Sequence, residues 1–199
     1  NYLELRDALH KRGIVLNTSS DTEVLLHYFR IYGEKCVDFL EGMWAFAVYD
    51  SENETLFLSR DRFAEKPLYY YEDESGFYFG SEIKFLKCLS GKSFSVNYRH
   101  LRRHIAHGYK ALYKSEETYF EDVRELKYAE NLLVTSSERK AHQRYWIPRS
   151  RIDDNMSLAD AIEGTKEALL NSVKIRLRAD VPLAFCLSGG VDSAALVSM

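Results

Sequence analysis

The chain lacks a large surplus of either charge. Its 27 Lys and Arg against 30 Asp and Glu leave a formal net charge of -3 over 199 residues. A grip on nucleic-acid phosphates needs a basic surplus, so that class of partner is excluded. Apolar runs are short, and none approaches the ~20 residues that cross a bilayer, so no membrane partner is expected. No signal-peptide pattern is visible. Cysteine is sparse: Cys36, Cys88 and Cys186 are odd in number, widely spaced and set in apolar stretches. That usage predicts reduced thiols in a cytoplasmic protein. No CxxC pair occurs, which excludes a structural zinc site of the usual kind. Repeats and low-complexity tracts are missing as well. What is present is a 46% hydrophobic fraction, enough to build one or two cores.

The pattern divides the chain into 1–147 and 148–199, with a polar linker at 148–155. A short helical pattern through Tyr2, Leu5 and Leu9 stops at Gly13, and the apolar run 14–16 reads as a strand. Ser20-Asp21-Thr22-Glu23 has capping-box spacing, and Val24, Leu25, Tyr28, Phe29 and Tyr32 continue a helix to Gly33. After Gly42 the period becomes two. Strands are predicted over 43–49, 55–59, 68–71 and 77–79, joined by the polar turns 50–54 and 73–76. A helix over 98–107 and a hairpin of 131–135 with 143–147 complete an antiparallel α+β unit.

Beyond the linker, Ser157 and Asp160 cap a long amphipathic helix carrying Leu158, Ile162, Leu169, Val173 and Leu177. It leads to the apolar run 181–187, predicted as a buried strand, and then to Ser188-Gly189-Gly190-Val191-Asp192-Ser193 at a helix start. Strand, small-residue turn and helix N-terminus together make an anion site. Backbone N–H groups close on phosphate oxygens, the helix dipole adds positive potential, and the hydroxyls of Ser188 and Ser193 add donors. Asp192 would repel phosphate unless a cation intervenes, which assigns it to Mg2+. No Gly-Lys-Ser/Thr follows, so the loop is not a Walker A motif.

This loop resembles the pyrophosphate loop of the ATP pyrophosphatases that transfer AMP to an acid. Four further segments (20–24, 40–47, 60–70 and 80–84) resemble, in order, those of the glutamine-hydrolysing asparagine synthetases. The resemblance implies an Ntn-hydrolase-type αββα domain with two antiparallel sheets, of the class II glutamine amidotransferases. An α/β ATP-pyrophosphatase (adenine nucleotide α-hydrolase-like) domain would then begin. It also implies the substrates glutamine, aspartate and ATP, with Mg2+, and is compatible with a homodimer. In that family glutamine is hydrolysed in the first domain, and ammonia reaches an aspartyl-AMP in the second to give asparagine.

Carried over by position, Asp21 matches the acid that binds the glutamine α-amino group. Read without the resemblance, it is an acid favoured in a first helical turn. Ser188, Gly189, Gly190, Asp192 and Ser193 match the loop for the β and γ phosphates and Mg2+. Cys186 and Leu187 match strand-end positions near adenine. Arg60, Asp61 and Arg62 are expected to form an ion-pair network, and Glu82 is expected to be a helix cap. The family's nucleophile, an N-terminal cysteine whose amine is the base, has no counterpart in 1–199. The chain is therefore expected to be an internal fragment, inactive alone in glutamine hydrolysis and acyl-AMP formation.

Two departures stand out. Ala64 replaces the family's usual glycine, and a backbone needing positive φ there would strain alanine. Lys127-Tyr128-Ala129-Glu130 replaces the family's usual Pro-Pro-Gly turn, a variation common among synthetases that amidate other acids, which leaves aspartate as the default substrate; acceptors considered beside it are sugars, peptides and ring closure. Those acceptors, and a non-catalytic glutamine- or ATP-binding relative, stay open beside asparagine synthesis. His100, His104 and His107 share a helical face, but the adjacent Arg99, Arg102 and Arg103, with no carboxylate near in sequence, favour a solvated basic face over a zinc site.

Overall fold

A computed structural model describes residues 1–108, 116–135, 141–150 and 152–199. Two compact units meet in sequence at Pro148 and Arg149; of the linker, residue 151 lies outside the described residues.

In the first unit, α1 (Tyr2–Lys11) and α2 (Asp21–Tyr32) present Leu5, Leu9, Val24 and Tyr28 on one side. These residues meet Cys36, Val37 and Leu40, from and just after a 3-10 helix (Gly33–Phe39), and Phe57 from the sheet. Strands β1 (Ala45–Asp50), β2 (Thr55–Arg60), β6 (Glu130–Thr135) and β7 (Ala141–Arg144) form one antiparallel sheet in that order. A second antiparallel sheet has the order β4 (Gly76–Gly80), β3 (Tyr69–Asp73), β5 (Arg124–Glu125). Phe57 and Leu58 are adjacent in β2 and both buried, one on each face. Phe57 faces the helices, while Leu58 and Leu132 join Leu68, Tyr70 and Leu126 in a second core. Burying each such side chain is worth ~1.5–3 kcal/mol. Helix α3 (Ile83–Ser90) packs on β3 and β4 and buries Leu86, giving the order helix, sheet, sheet, helix. Helix α4 (Tyr98–His107) completes the unit.

The local signals explain most element ends. Ser20 Oγ accepts the Thr22 N–H at 3.1 Å, and Gly33 ends α2 at φ 58°, a conformation that suits glycine. The capping box is nevertheless open. Glu23 turns back to the N–H groups of Asn17 (2.8 Å) and Thr18 (2.7 Å), while Thr18 Oγ1 takes the Ser20 N–H. That loop-closing role supplants the expected reciprocal bond. Asp50 and Asp73 close the two hairpin turns by accepting following N–H groups. Residues 14–16, expected as a strand, are irregular. Ile14 and Leu16 pack against the first core from the connection after α1 without entering a ladder, while Val15 is exposed. The hairpin of β6 and β7 pairs Leu133 with Ala141 through Glu130 with Arg144, earlier on the second strand than expected.

The second unit holds α5 (Leu158–Arg176) and α6 (Val191–Ser198). Ser157 Oγ accepts the Asp160 N–H at 3.1 Å, as its sequence spacing indicated. The run 181–187 is not a strand, because every strand in the two sheets belongs to the first unit and a single chain segment cannot make a ladder alone. No residue of α5 is buried and most of its apolar side chains are exposed, so this unit has no core of its own among the described residues. No described helix is long and apolar enough to cross a membrane.

Candidate active-site cavity and phosphate loop

The N-terminal ends of α1 and α2 frame a cavity of about 570 Å3 in the first unit, closed by residues 40–46, Lys66, Pro67 and Ser81. Asp21, the first residue of α2, lines it. Asp21 Oδ1 has only the flanking hydroxyls of Ser20 and Thr22 nearby among the described residues, at 3.5 and 3.4 Å. These are long contacts, and they leave the carboxylate able to take an ammonium group. Asn1 ties the opposite rim: its Nδ2 donates to the Phe39 carbonyl at 3.0 Å, and its Oδ1 accepts the Glu41 N–H at 2.9 Å.

The part of the wall that includes Trp44 and Lys66 is organised by Asp61. This side chain is fully buried, and its two oxygens accept four backbone N–H groups, from Phe63 (3.0 Å), Glu65 (2.9 Å), Lys66 (3.0 Å) and Trp44 (3.3 Å). The expected ion-pair network is thus replaced by bonds to the backbone. Arg60 donates to the carbonyls of Lys66 (2.7 Å), Ala64 (3.1 Å) and Leu126, and pairs with Glu125 at 2.9 Å. Arg62 donates to the Leu40 carbonyl at 2.6 Å and lies over the Trp44 ring. A loop dense in unpaired N–H and C=O groups satisfies buried charges more completely than neighbouring side chains in a row could. Ala64 has φ 55°, the left-handed conformation anticipated for this position.

Trp44 continues the wall. Its Nε1 donates to Ser59 Oγ at 3.0 Å and its ring stacks on Tyr145, whose hydroxyl donates to the Arg60 carbonyl at 2.7 Å. Trp44, Lys66 and Ser81 were not singled out from sequence, although all three fall inside the segments that carried the resemblance. Glu82 sits at the N-cap of α3 but makes no capping bond and pairs with Lys84 instead. At 127–130 the chain turns without proline: the Lys127 N–H donates to Glu130 Oε2 at 2.9 Å, and Ala129 has φ 52°.

The histidine face is not solvated throughout. His100 is buried, and burial, with Arg103 and His104 beside it, pushes its pKa below the usual range. His104 Nδ1 shares a hydrogen with the Tyr119 hydroxyl. A carboxylate is near after all, since Glu117 pairs with Arg99 and Arg103. No cluster of three or more potential metal ligands exists among the described residues.

In the second unit, Gly190 caps α6 and Gly189 takes φ 80°, which needs glycine. Ser188 Oγ and Ser193 Oγ are 3.0 Å apart across the loop, and Ser193 Oγ donates to the Gly190 carbonyl at 3.1 Å. The first helical bond, from the Ala194 N–H to the Gly190 carbonyl, leaves the N–H groups of Val191, Asp192 and Ser193 ahead of the ladder. The loop therefore brings Ser188, Gly189, Gly190, Asp192 and Ser193 together at an anion-compatible helix end. Cys186 and Leu187 are exposed just before it. As a single carboxylate, Asp192 fits a Mg2+ held mainly by phosphate oxygens and water.

A glutamine amidotransferase domain family matches residues 1–146, and an asparagine synthase family matches residues 164–199. The chain belongs to the asparagine synthetase family of glutamine amidotransferases. Asparagine synthetase [glutamine-hydrolyzing] 3 of Bacillus subtilis is 34% identical over 200 residues, covering 100% of this chain and 32% of that protein. Amidase chry2 of Gibberella zeae is 31% identical over 184 residues, covering 91% of this chain and 26% of that protein. The chain spans about a third of the length of the curated relatives it matches. The glutamine PRPP amidotransferase of B. subtilis superposes with a TM-score of 0.50 at 19% identity, over 76% of this chain and 28% of that one. This likeness shows the fold alone: the first unit has the class II amidotransferase, Ntn-type architecture, followed by the start of an asparagine synthase domain. ATP use is a property of the family to which that second domain belongs.

Proposed function

We propose that the protein makes asparagine from aspartate, ATP and glutamine, with the first unit binding glutamine and the second binding the ATP phosphates. The observation that carries this is the cavity beside Asp21. A carboxylate at a helix N-terminus, without an ion-pair partner among the described residues, matches the ammonium of an α-amino acid, and the 570 Å3 volume suits a ligand of glutamine's size. Asp21 would orient the substrate through its amino group, and the wall held by Asp61 would fix the reacting end. In the second unit the N–H groups of residues 191–193 and the two seryl hydroxyls would hold the phosphates. Asp192 would hold Mg2+, which offsets phosphate charge as pyrophosphate leaves. The unpaired cysteines agree with a cytoplasmic setting.

A second reading keeps the chemistry and changes the acceptor. It is favoured by the proline-free turn at 127–130 and by an amidase among the relatives. The test of the glutamine site is Asp21→Ala in the full-length protein. The expected result is a KM for glutamine raised at least about tenfold, while synthesis supplied with ammonia is retained. Equal loss with both nitrogen sources would show that Asp21 acts structurally.

A further inference from the structure

On the face of the β1–β2–β6–β7 sheet opposite the second core lies a cleft of about 680 Å3, between the 3-10 helix and strands β6 and β7. Its lining includes Glu34, Lys35, Asp38, Asn131, Arg144 and Tyr145. This cleft is distinct from the Asp21 cavity and shares no lining residue with it.

Its base is unusual for a packed sheet. Ser59, Asn131 and Gln143 stand in register across β2, β6 and β7, a polar row on a face otherwise given to Phe57 and Leu133. Ser59 Oγ is occupied by the Trp44 indole. Asn131 is 3% exposed, and its Oδ1 has no hydrogen-bond partner. A buried acceptor left without a donor costs ~1–3 kcal/mol, so its retention at the base of a cleft points to a donor supplied from outside. Around it stand both signs of charge, Glu34 and Asp38 with Lys35. Arg144, one residue on from Gln143, turns its guanidinium to Tyr128, stacking on the ring and bonding the hydroxyl at 3.2 Å.

We propose that this cleft is a second amino-acid site. A free α-amino acid fits the chemistry: its carboxylate meets Lys35, its ammonium meets Glu34 and Asp38, and an N–H donor reaches Asn131 Oδ1. The site is wired to the first cavity. Tyr145 lines the cleft and stacks on Trp44 at 6.1 Å between ring centroids, and Trp44 lines the Asp21 cavity. An occupant that shifts Tyr145 therefore shifts one wall of the glutamine site, which makes the ligand an effector of that site.

The test is a calorimetric titration of the whole 199-residue chain with L-asparagine, in an Asp21→Ala background that disables the first cavity. Saturable binding is expected, weakened about tenfold or more by the exposed substitution Lys35→Glu. Methylammonium acetate, which carries the two charges on separate ions, should not compete. In a Trp146→Phe chain, Trp44 is the remaining tryptophan, and its emission should change on binding. Loss of binding in the Asp21→Ala chain would place the ligand in the first cavity and overturn the proposal, as would an affinity indifferent to Lys35→Glu. Binding with silent Trp44 emission would remove the coupling. None of these outcomes depends on whether glutamine is the nitrogen donor.

Discussion

Replacing Asp61 by Ala takes away one buried carboxylate and strands four backbone N–H groups at once. A hydrogen bond to a charged partner is worth ~1.5–3 kcal/mol, but the four share one acceptor and their loop can rotate some donors toward water. The expected loss is ~3–5 kcal/mol, in the range found when one half of a buried charged pair is removed. That is a large part of the ~5–15 kcal/mol that holds a domain together. Asp61→Asn keeps one oxygen and two of the four bonds but turns an NH2 donor toward the other two N–H groups, so it should cost nearly as much as Ala. Urea unfolding followed by tryptophan emission reads this directly, because Trp44 and Trp146 both lie in the first unit. Trp44 also reports the damage locally, since its own N–H is one of those stranded. A loss under ~1 kcal/mol for either Ala or Asn would refute Asp61 as the organiser of the cavity wall.

Ala64→Gly should stabilise the first unit by ~0.5–1 kcal/mol, because relief of the left-handed conformation outweighs the added freedom of the unfolded glycine; a lower urea midpoint would contradict this. Glu23 is held down to about 2 by the N–H groups of Asn17 and Thr18 and the Thr18 hydroxyl, the Asn17 bond weighing most. A depressed acid contributes stability present above its unfolded value of 4.5 and lost as pH falls toward about 2, so Glu23→Gln should flatten the stability profile in that window. An unchanged acid limb would exclude the loop-closing role. Burial pushes the Cys36 thiol up to about 12, whereas Cys88 and Cys186 are exposed. Iodoacetamide should therefore modify the latter two first, and early labelling of Cys36 would place it outside the core.

Period and punctuation carried most of the first unit. Alternation placed β1 to β4, Ser20 and Gly33 bounded α2, and in the second unit the small residues at 188–190 marked the turn into α6. Each of these is set by neighbours close in sequence. What stayed hidden depends on distant partners. Asp61 sits between two arginines and so suggests ion pairs, yet its bonds go to N–H groups that no side-chain pattern can display. Glu117 lies far along the chain from Arg99 and Arg103, and so a basic helix face looked unpaired. The run 181–187 has strand composition, but composition without a neighbouring strand makes no ladder. Asp21, which lines the cavity, stood out as a candidate only through resemblance, because an acid in a first helical turn is also what the helix dipole favours.

The proposed reaction transfers glutamine's amide nitrogen to aspartate at the expense of ATP. The most direct measurement feeds amide-labelled glutamine, aspartate, ATP and Mg2+ to the full-length protein and follows both the label and the phosphorus products. Labelled asparagine is expected, with one pyrophosphate released per product. Labelled ammonia that never enters asparagine, or release of orthophosphate in place of pyrophosphate, would contradict it.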